Sequence, residues 1–116
     1  IMNLVYKVCS KDEWDQAIIN QFYSGSDVDN KDGFIHLSTK KQLHETVTKH
    51  FRGNKNLIII SFSSKKKQDK LKWEVSRNGE LFSHNYGNLE TKFAKNTYNL
   101  YLNADGIHEF PENFFS

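Results

Sequence analysis

The sequence predicts one α+β domain, a mostly antiparallel sheet beside two main helices, and three observations carry that expectation. Two capping boxes, Ser10-x-x-Glu13 and Thr39-x-x-Gln42, each open an amphipathic stretch. The run Leu57-Ile58-Ile59-Ile60-Ser61-Phe62 is the most apolar in the chain and reads as a central strand covered on both faces. The segments after it carry alternating, aromatic or β-branched patterns and are separated by turn pairs such as Asn78-Gly79 and Asp105-Gly106. At 116 residues there is room for one domain and one core.

Taken in order, Leu4 to Cys9 suits a first strand, and the Ser10 box starts a helix from Lys11 to about Phe22. Trp14, Ala17, Ile18 and Phe22 recur at helical spacing and should lie on the core, with Trp14 as an anchor. Ser24 to Asp32 is polar and turn-forming, which reads as a loop over the next strand. Its acids Asp27, Asp29 and Asp32 lack the glutamate that closes an EF-hand, so solvation is favoured over calcium. The second helix runs from Lys40 to about Phe51, with Leu43, Val47, His50 and Phe51 on one face and Arg52-Gly53 as its stop. His44 and Lys40 should face water. Neither the His44/His50 spacing nor any H-E-x-x-H pattern suggests zinc. Ser63 to Lys70 reads as a solvated loop. Leu71 to Ser76 alternates as a strand with Leu71, Trp73 and Val75 inward, which aims Glu74 at the opposite face. Lys92 to Leu102 is a further strand region, and the tail with Phe110, Phe114 and Phe115 is too apolar to float free.

Composition narrows the function classes. Lys+Arg 16 against Asp+Glu 14 leaves a net charge of +2, far from the basic excess of a duplex binder, so no tight nucleic-acid partner is expected. The Lys65-Lys66-Lys67 run offers at most weak, salt-sensitive attraction. Cys9 is the single cysteine, which excludes an intrachain disulfide and fits a reducing cytoplasm. No apolar run approaches the ~20 residues that span a bilayer, so no membrane association is expected.

The chemistry concentrates in Asp32-Gly33-Phe34-Ile35-His36-Leu37-Ser38-Thr39. A turn pair releases a short strand whose alternation sends Phe34, His36 and Ser38 to one face and Ile35 and Leu37 to the other. Thr39 then hands over to a helix N-terminus. The competing reading is a structural, hydrogen-bonded His36. A second cluster, Phe82-Ser83-His84-Asn85-Tyr86-Gly87, ends in a glycine that permits a bend or close approach.

These two blocks, with Trp73-Glu74 and Arg77, resemble a small bacterial family known as domain of unknown function 952, over nearly the whole chain. Its second block is usually F-P-H-x-Y-G, and Ser83 stands here in place of the proline. That family is distantly similar to the ADP-ribosyltransferase superfamily, which implies a split antiparallel β-core. The superfamily's H-G-[ST] motif would fall on His36-Leu37-Ser38, with Leu37 in place of the glycine. The resemblance implies NAD or a related nucleotide as a small-molecule ligand or substrate. His36 would meet a ribose hydroxyl, Ser38 the nicotinamide amide, Tyr86 the ring and Arg77 a phosphate, while Glu74 and His84 join His36 as catalytic candidates. Two alternatives stand beside this enzyme of the ADP-ribosyl type: a non-catalytic nucleotide-binding module, and a metal-assisted hydrolase using His36, His84 and Glu74. No resident metal or cofactor is implied. All five of His36, Ser38, Arg77, His84 and Tyr86 should converge on one concave pocket.

Overall fold

The computed structural model describes residues 4–64 and 70–116. Strand β1 (Leu4–Ser10) leads into helix α1 (Lys11–Asn20), strand β2 (Phe22–Tyr23), helix α2 (Asp27–Asp32), strand β3 (Ile35–Leu37) and helix α3 (Lys40–His50). Six strands follow: β4 (Leu57–Ser63), β5 (Leu71–Val75), β6 (Leu81–Asn85), β7 (Leu89–Glu90), β8 (Ala94–Leu102) and β9 (His108–Glu109). They form a four-stranded sheet β1-β4-β8-β9, a three-stranded sheet β3-β6-β5 and the pair β2-β7, with antiparallel pairing throughout.

β4 is the central strand its apolar run predicted, pairing with both β1 and β8. Its alternation divides the core. Ile58, Ile60 and Phe62 join Val5, Cys9, Trp14, Ala17, Ile35 and Leu37 on one side of the large sheet. Leu57 and Ile59 join Tyr6, Val8, Leu43, Val47, Leu100 and Phe114 on the other, where α3 and the aromatic tail pack. The tail is therefore docked, with Phe114 edge-on to both Tyr6 and Tyr98. At the end of β3, Ser38 exchanges two backbone hydrogen bonds with Tyr6 (2.7 and 2.9 Å), tying the small sheet to β1.

Both sequence-predicted caps form. The Ser10 hydroxyl accepts from the Glu13 N–H, and Thr39 and Gln42 bond each other's backbone in a full capping box. Three expectations are corrected. The Ser24 to Asp32 loop contains α2, because Ser26 and Asp29 make a third capping box that the sequence reading passed over. This helix ends where Gly33, at φ 89°, takes the left-handed cap that costs it no Cβ clash, and its N–H reaches the Asp29 carbonyl. Helix α1 ends earlier than Phe22: Gln21 is left-handed, Phe22 enters β2 against Glu90, and Ile18 and Phe22 are exposed while Tyr23 takes the buried place. Trp73 and Val75 are exposed, not inward, because β5 is an edge strand that extends past the core; Leu71 alone packs against it. The Ser63 to Lys70 loop and the Lys65-Lys66-Lys67 run lie largely or wholly outside the described residues.

Candidate functional site

The three-stranded sheet has a core face and an outer face, and strand register decides which residues meet on each. His36 pairs across the strands with His84, and His84 with Lys72; one pair further along, Phe82 faces Glu74. Side chains alternate. Ile35 and Leu37 are therefore buried in the core, and Phe34, His36, Ser38, Phe82, His84, Tyr86 and Glu74 share the outer face. Leu37 turns its side chain away from this face.

Two imidazoles, each anchored by a carboxylate, meet here. His36 Nδ1 lies 2.6 Å from Asp29 Oδ1, and His84 Nδ1 lies 2.7 Å from Glu74 Oε1. The ring centroids are 5.6 Å apart and edge-on. Phe34 stacks on His84 at 4.1 Å and leans on Tyr86 at 5.2 Å, making an aromatic floor. Tyr86 donates to the same Glu74 oxygen at 2.8 Å. Hydrogen bonds from His84 and Tyr86 hold the Glu74 carboxyl below its usual range, and the bond to Glu74 pushes the Tyr86 phenol up. His36 and Glu74 each keep 38% of their side-chain surface, so the face is partly open to a ligand.

Asp29 is a site residue that the sequence reading assigned to a solvated loop. It is buried, and its oxygens are fully engaged. Oδ1 takes the His36 ring and the His36 N–H (3.1 Å); Oδ2 takes Lys7 Nζ (2.7 Å) and the Ser26 N–H (2.9 Å). Burial works to raise its pKa, but the His36 and Lys7 partners prevail and the carboxyl lies well below the ordinary range. Lys7 is itself buried between Val5 and Cys9, and donates also to the His36 carbonyl (3.2 Å). Its signal was present: a lysine at a core-facing position of a strand needs a buried partner. Asp32 Oδ2 lies 3.0 Å from His36 Nε2.

Arg77 and Ser38 form an adjoining cluster, meeting each other through Thr46 of α3 and not the imidazoles directly. Arg77 Nη2 donates to Thr46 Oγ1 (3.0 Å), which also bonds Ser38 Oγ (3.0 Å). Arg77 Nη1 lies 3.1 Å from His50 Nε2, and its guanidinium covers the Phe82 ring at 4.7 Å. Burial, then the Arg77 charge, lowers the His50 pKa; His36 and Lys49 add to this. Glu74 pairs with His84 and Tyr86 rather than with a lysine. Among the described residues a hollow of about 80 Å³ lies between α3 and the C-terminal segment, lined by His44, Val47, Arg52, Ile107 and Phe110 and by none of the five residues. Gly87 approaches the Lys70 side chain; a Cβ there would fall 2.7 Å from Lys70 Cδ. Among the described residues, no group of three or more His, Cys, Asp and Glu is arranged to hold a metal ion, and no helix is long and apolar enough to cross a membrane. Cys9 is buried, which pushes its thiol up to about 12.

A family model described as "Protein of unknown function (DUF952)" matches residues 8–96. A crystal structure of protein CC0527 from Caulobacter crescentus is 38% identical, with a TM-score of 0.92 over 98% of this chain and 100% of that one. A solution NMR structure of the same protein is 42% identical, with a TM-score of 0.80 over 91% of each chain. No curated protein matches.

Proposed function

The chain belongs to the DUF952 family, and from its own residues we infer that the His36–His84 face binds NAD or a related nucleotide and acts on the bond between nicotinamide and ribose. The observation that carries this reading is the pair of carboxylate-anchored imidazoles, 5.6 Å apart over an aromatic floor. An imidazole fixed through Nδ1 can turn Nε2 to a ribose hydroxyl, and at His36 that hydroxyl would take the place of Asp32. Phe34 and Tyr86 offer ring surface to a flat base.

Glu74 is the carboxylate for the chemistry. When the glycosidic C–N bond breaks, nicotinamide leaves with the bonding pair and becomes neutral, so no general acid is needed. Positive charge develops on the ribose, where a carboxylate is most stabilising. The attacking water or hydroxyl loses its proton to a carboxylate-oriented imidazole. One observation favours a second reading, a non-catalytic binding module: Glu74 Oε1 is already committed to His84 and Tyr86.

Calorimetry with NAD and ADP-ribose, together with a nicotinamide-release assay, tests both. Binding with release supports the enzyme; binding without release selects the module. Failure of both ligands to bind overturns the nucleotide reading.

A further inference from the structure

β5 lies at the edge of the small sheet, and its sequence Leu71-Lys72-Trp73-Glu74-Val75 is self-complementary: apolar, cation, aromatic, anion, apolar. One edge of it bonds to β6. The flanking bonds fix which groups do so, because the Tyr86 N–H donates to the Lys70 carbonyl (2.8 Å) and the Ser76 N–H to the Glu80 carbonyl (2.8 Å). Alternation along an antiparallel ladder then turns the backbone groups of Lys72 and Glu74 toward β6 and those of Leu71, Trp73 and Val75 to the other edge. Among the described residues no strand pairs with that edge.

This edge is poorly guarded. The register with β6 runs without a bulge and the strand holds no proline, which leaves one lysine as its protection. The side chains on its core-side face are apolar and uncovered: Trp73 is 45% exposed, Val75 70% and its cross-strand neighbour Leu81 54%. Antiparallel pairing of β5 with a second β5 about a two-fold axis at Trp73 sets Leu71 opposite Val75, Lys72 opposite Glu74 and Trp73 opposite Trp73. Every outward N–H and C=O of Leu71, Trp73 and Val75 then has a partner. Lys72 and Glu74 fall in the non-hydrogen-bonded pairs, where facing residues come closest, at about 4.5 Å between Cα atoms. Moving the axis one residue either way sets Lys72 against Lys72 or Glu74 against Glu74, which is destabilising. The charges therefore specify one register.

We propose that β5 is a self-association edge, on which a second copy of this chain pairs antiparallel about a two-fold axis at Trp73 and joins the two small sheets into one. The axis stands perpendicular to the sheet, so both outer faces lie on the same side. The second copy then contributes to the candidate site, because its Lys72 reaches the Glu74 carboxylate that His84 and Tyr86 share. On the opposite face Trp73 packs on Trp73 of the second copy, and Val75 on its Leu71. A short strand from each copy makes an interface at the small end of the specific range, so association is weak and concentration-dependent. None of this depends on the nucleotide reading.

Sedimentation equilibrium of wild type from about 10 μM to 1 mM should show the mass rising from monomer toward dimer. Amide exchange of Leu71, Trp73 and Val75 should slow over the same range, while Lys72 and Glu74, already bonded to β6, stay unchanged. Lys72→Glu sets like charges opposite each other twice and should weaken association about tenfold or more. Combining Lys72→Glu with Glu74→Lys restores the complementarity and should recover it. Cross-linking reads the register, since Cys9 is buried and an introduced thiol is the accessible one. Copies of Trp73→Cys meet at about 5.5 Å between Cα atoms and should form a disulfide, whereas copies of Val75→Cys stand about 14 Å apart and should not. A wild type that stays monomeric at about 1 mM overturns the proposal. So does a dimer that Lys72→Glu leaves intact, or one that Val75→Cys cross-links as readily as Trp73→Cys.

Discussion

Replacing Asp29 by Asn removes one charge and exchanges an acceptor for a donor at the most heavily bonded side chain of the site. Four donors converge on its carboxylate: the His36 ring and N–H on one oxygen, Lys7 and the Ser26 N–H on the other. An amide cannot accept from both sides, so its NH2 must face Lys7 and Ser26, or His36. Lys7 and Asp29 are both almost fully buried, and breaking such a pair by losing one partner costs about 3–5 kcal/mol. A domain of this size has about 6–17 kcal/mol in all. At about 0.24 kcal/mol per degree, the midpoint should fall by roughly 12–20 °C. Acid behaviour gives a second readout. Because the folded pKa of Asp29 is depressed, the unfolded chain binds more protons as pH falls below the ordinary aspartate value of 3.8. The stabilisation is thus complete at neutral pH and is lost as pH descends from about 4 toward the folded value. Urea melts of wild type and Asp29→Asn between pH 3 and 7 measure both effects. The variant should be less stable at pH 7 and show a flatter acid limb. Lys7→Met combined with Asp29→Leu should recover much of the loss, since apolar replacement of a buried pair is often neutral. A cost below about 1 kcal/mol at pH 7, or an unaltered acid limb, would refute the reasoning.

His36→Ala should remove a ribose hydrogen bond and weaken nucleotide binding by about 1–3 kcal/mol, and Tyr86→Ala should weaken it through lost ring surface; calorimetry reads both, and unchanged affinities count against this face. Glu74→Gln should lower nicotinamide release while leaving affinity nearly intact, because its charge acts mainly in the transition state. If release requires ionised Glu74, its acidic limb should lie below the ordinary glutamate range and move upward in Tyr86→Phe, which removes one of the bonds that lower the pKa. Ser83→Ala should leave stability unchanged or raise it by about 1 kcal/mol, since the buried Ser83 hydroxyl has no hydrogen-bond partner; a loss of that size in chemical melts would show that the hydroxyl is satisfied. Duplex DNA should bind weakly and lose its affinity with added salt, as the net charge of +2 implies; submicromolar binding at physiological salt contradicts this.

Local patterns were legible because their physics is local. A capping box needs only residues three apart, so the starts of α1 and α3 follow from Ser10-Glu13 and Thr39-Gln42. The same rule, applied to Ser26-x-x-Asp29, would have found α2; the aspartate in the third position hid it. Strand alternation sent His36 and Ser38 to one face and Leu37 to the core, as the period of two requires. Burial along β5 was not legible, because alternation gives the two faces of a strand without saying what covers them. Trp73 and Val75 occupy the face that the sequence marks as apolar, yet an edge strand leaves them in water. Pairing across the chain was equally hidden. That His36 should oppose His84, forty-eight positions on, depends on the β3–β6 register. Lys7 reaches Asp29 only because β1 carries it under α2, and Arg77 reaches Thr46 only because the turn after β5 lies against α3. The sequence determined which residues carry the chemistry and the face on which each strand presents them. The tertiary structure decided their partners, because hydrogen bonds and charge pairs depend on distances that the packing of the strands and helices alone sets.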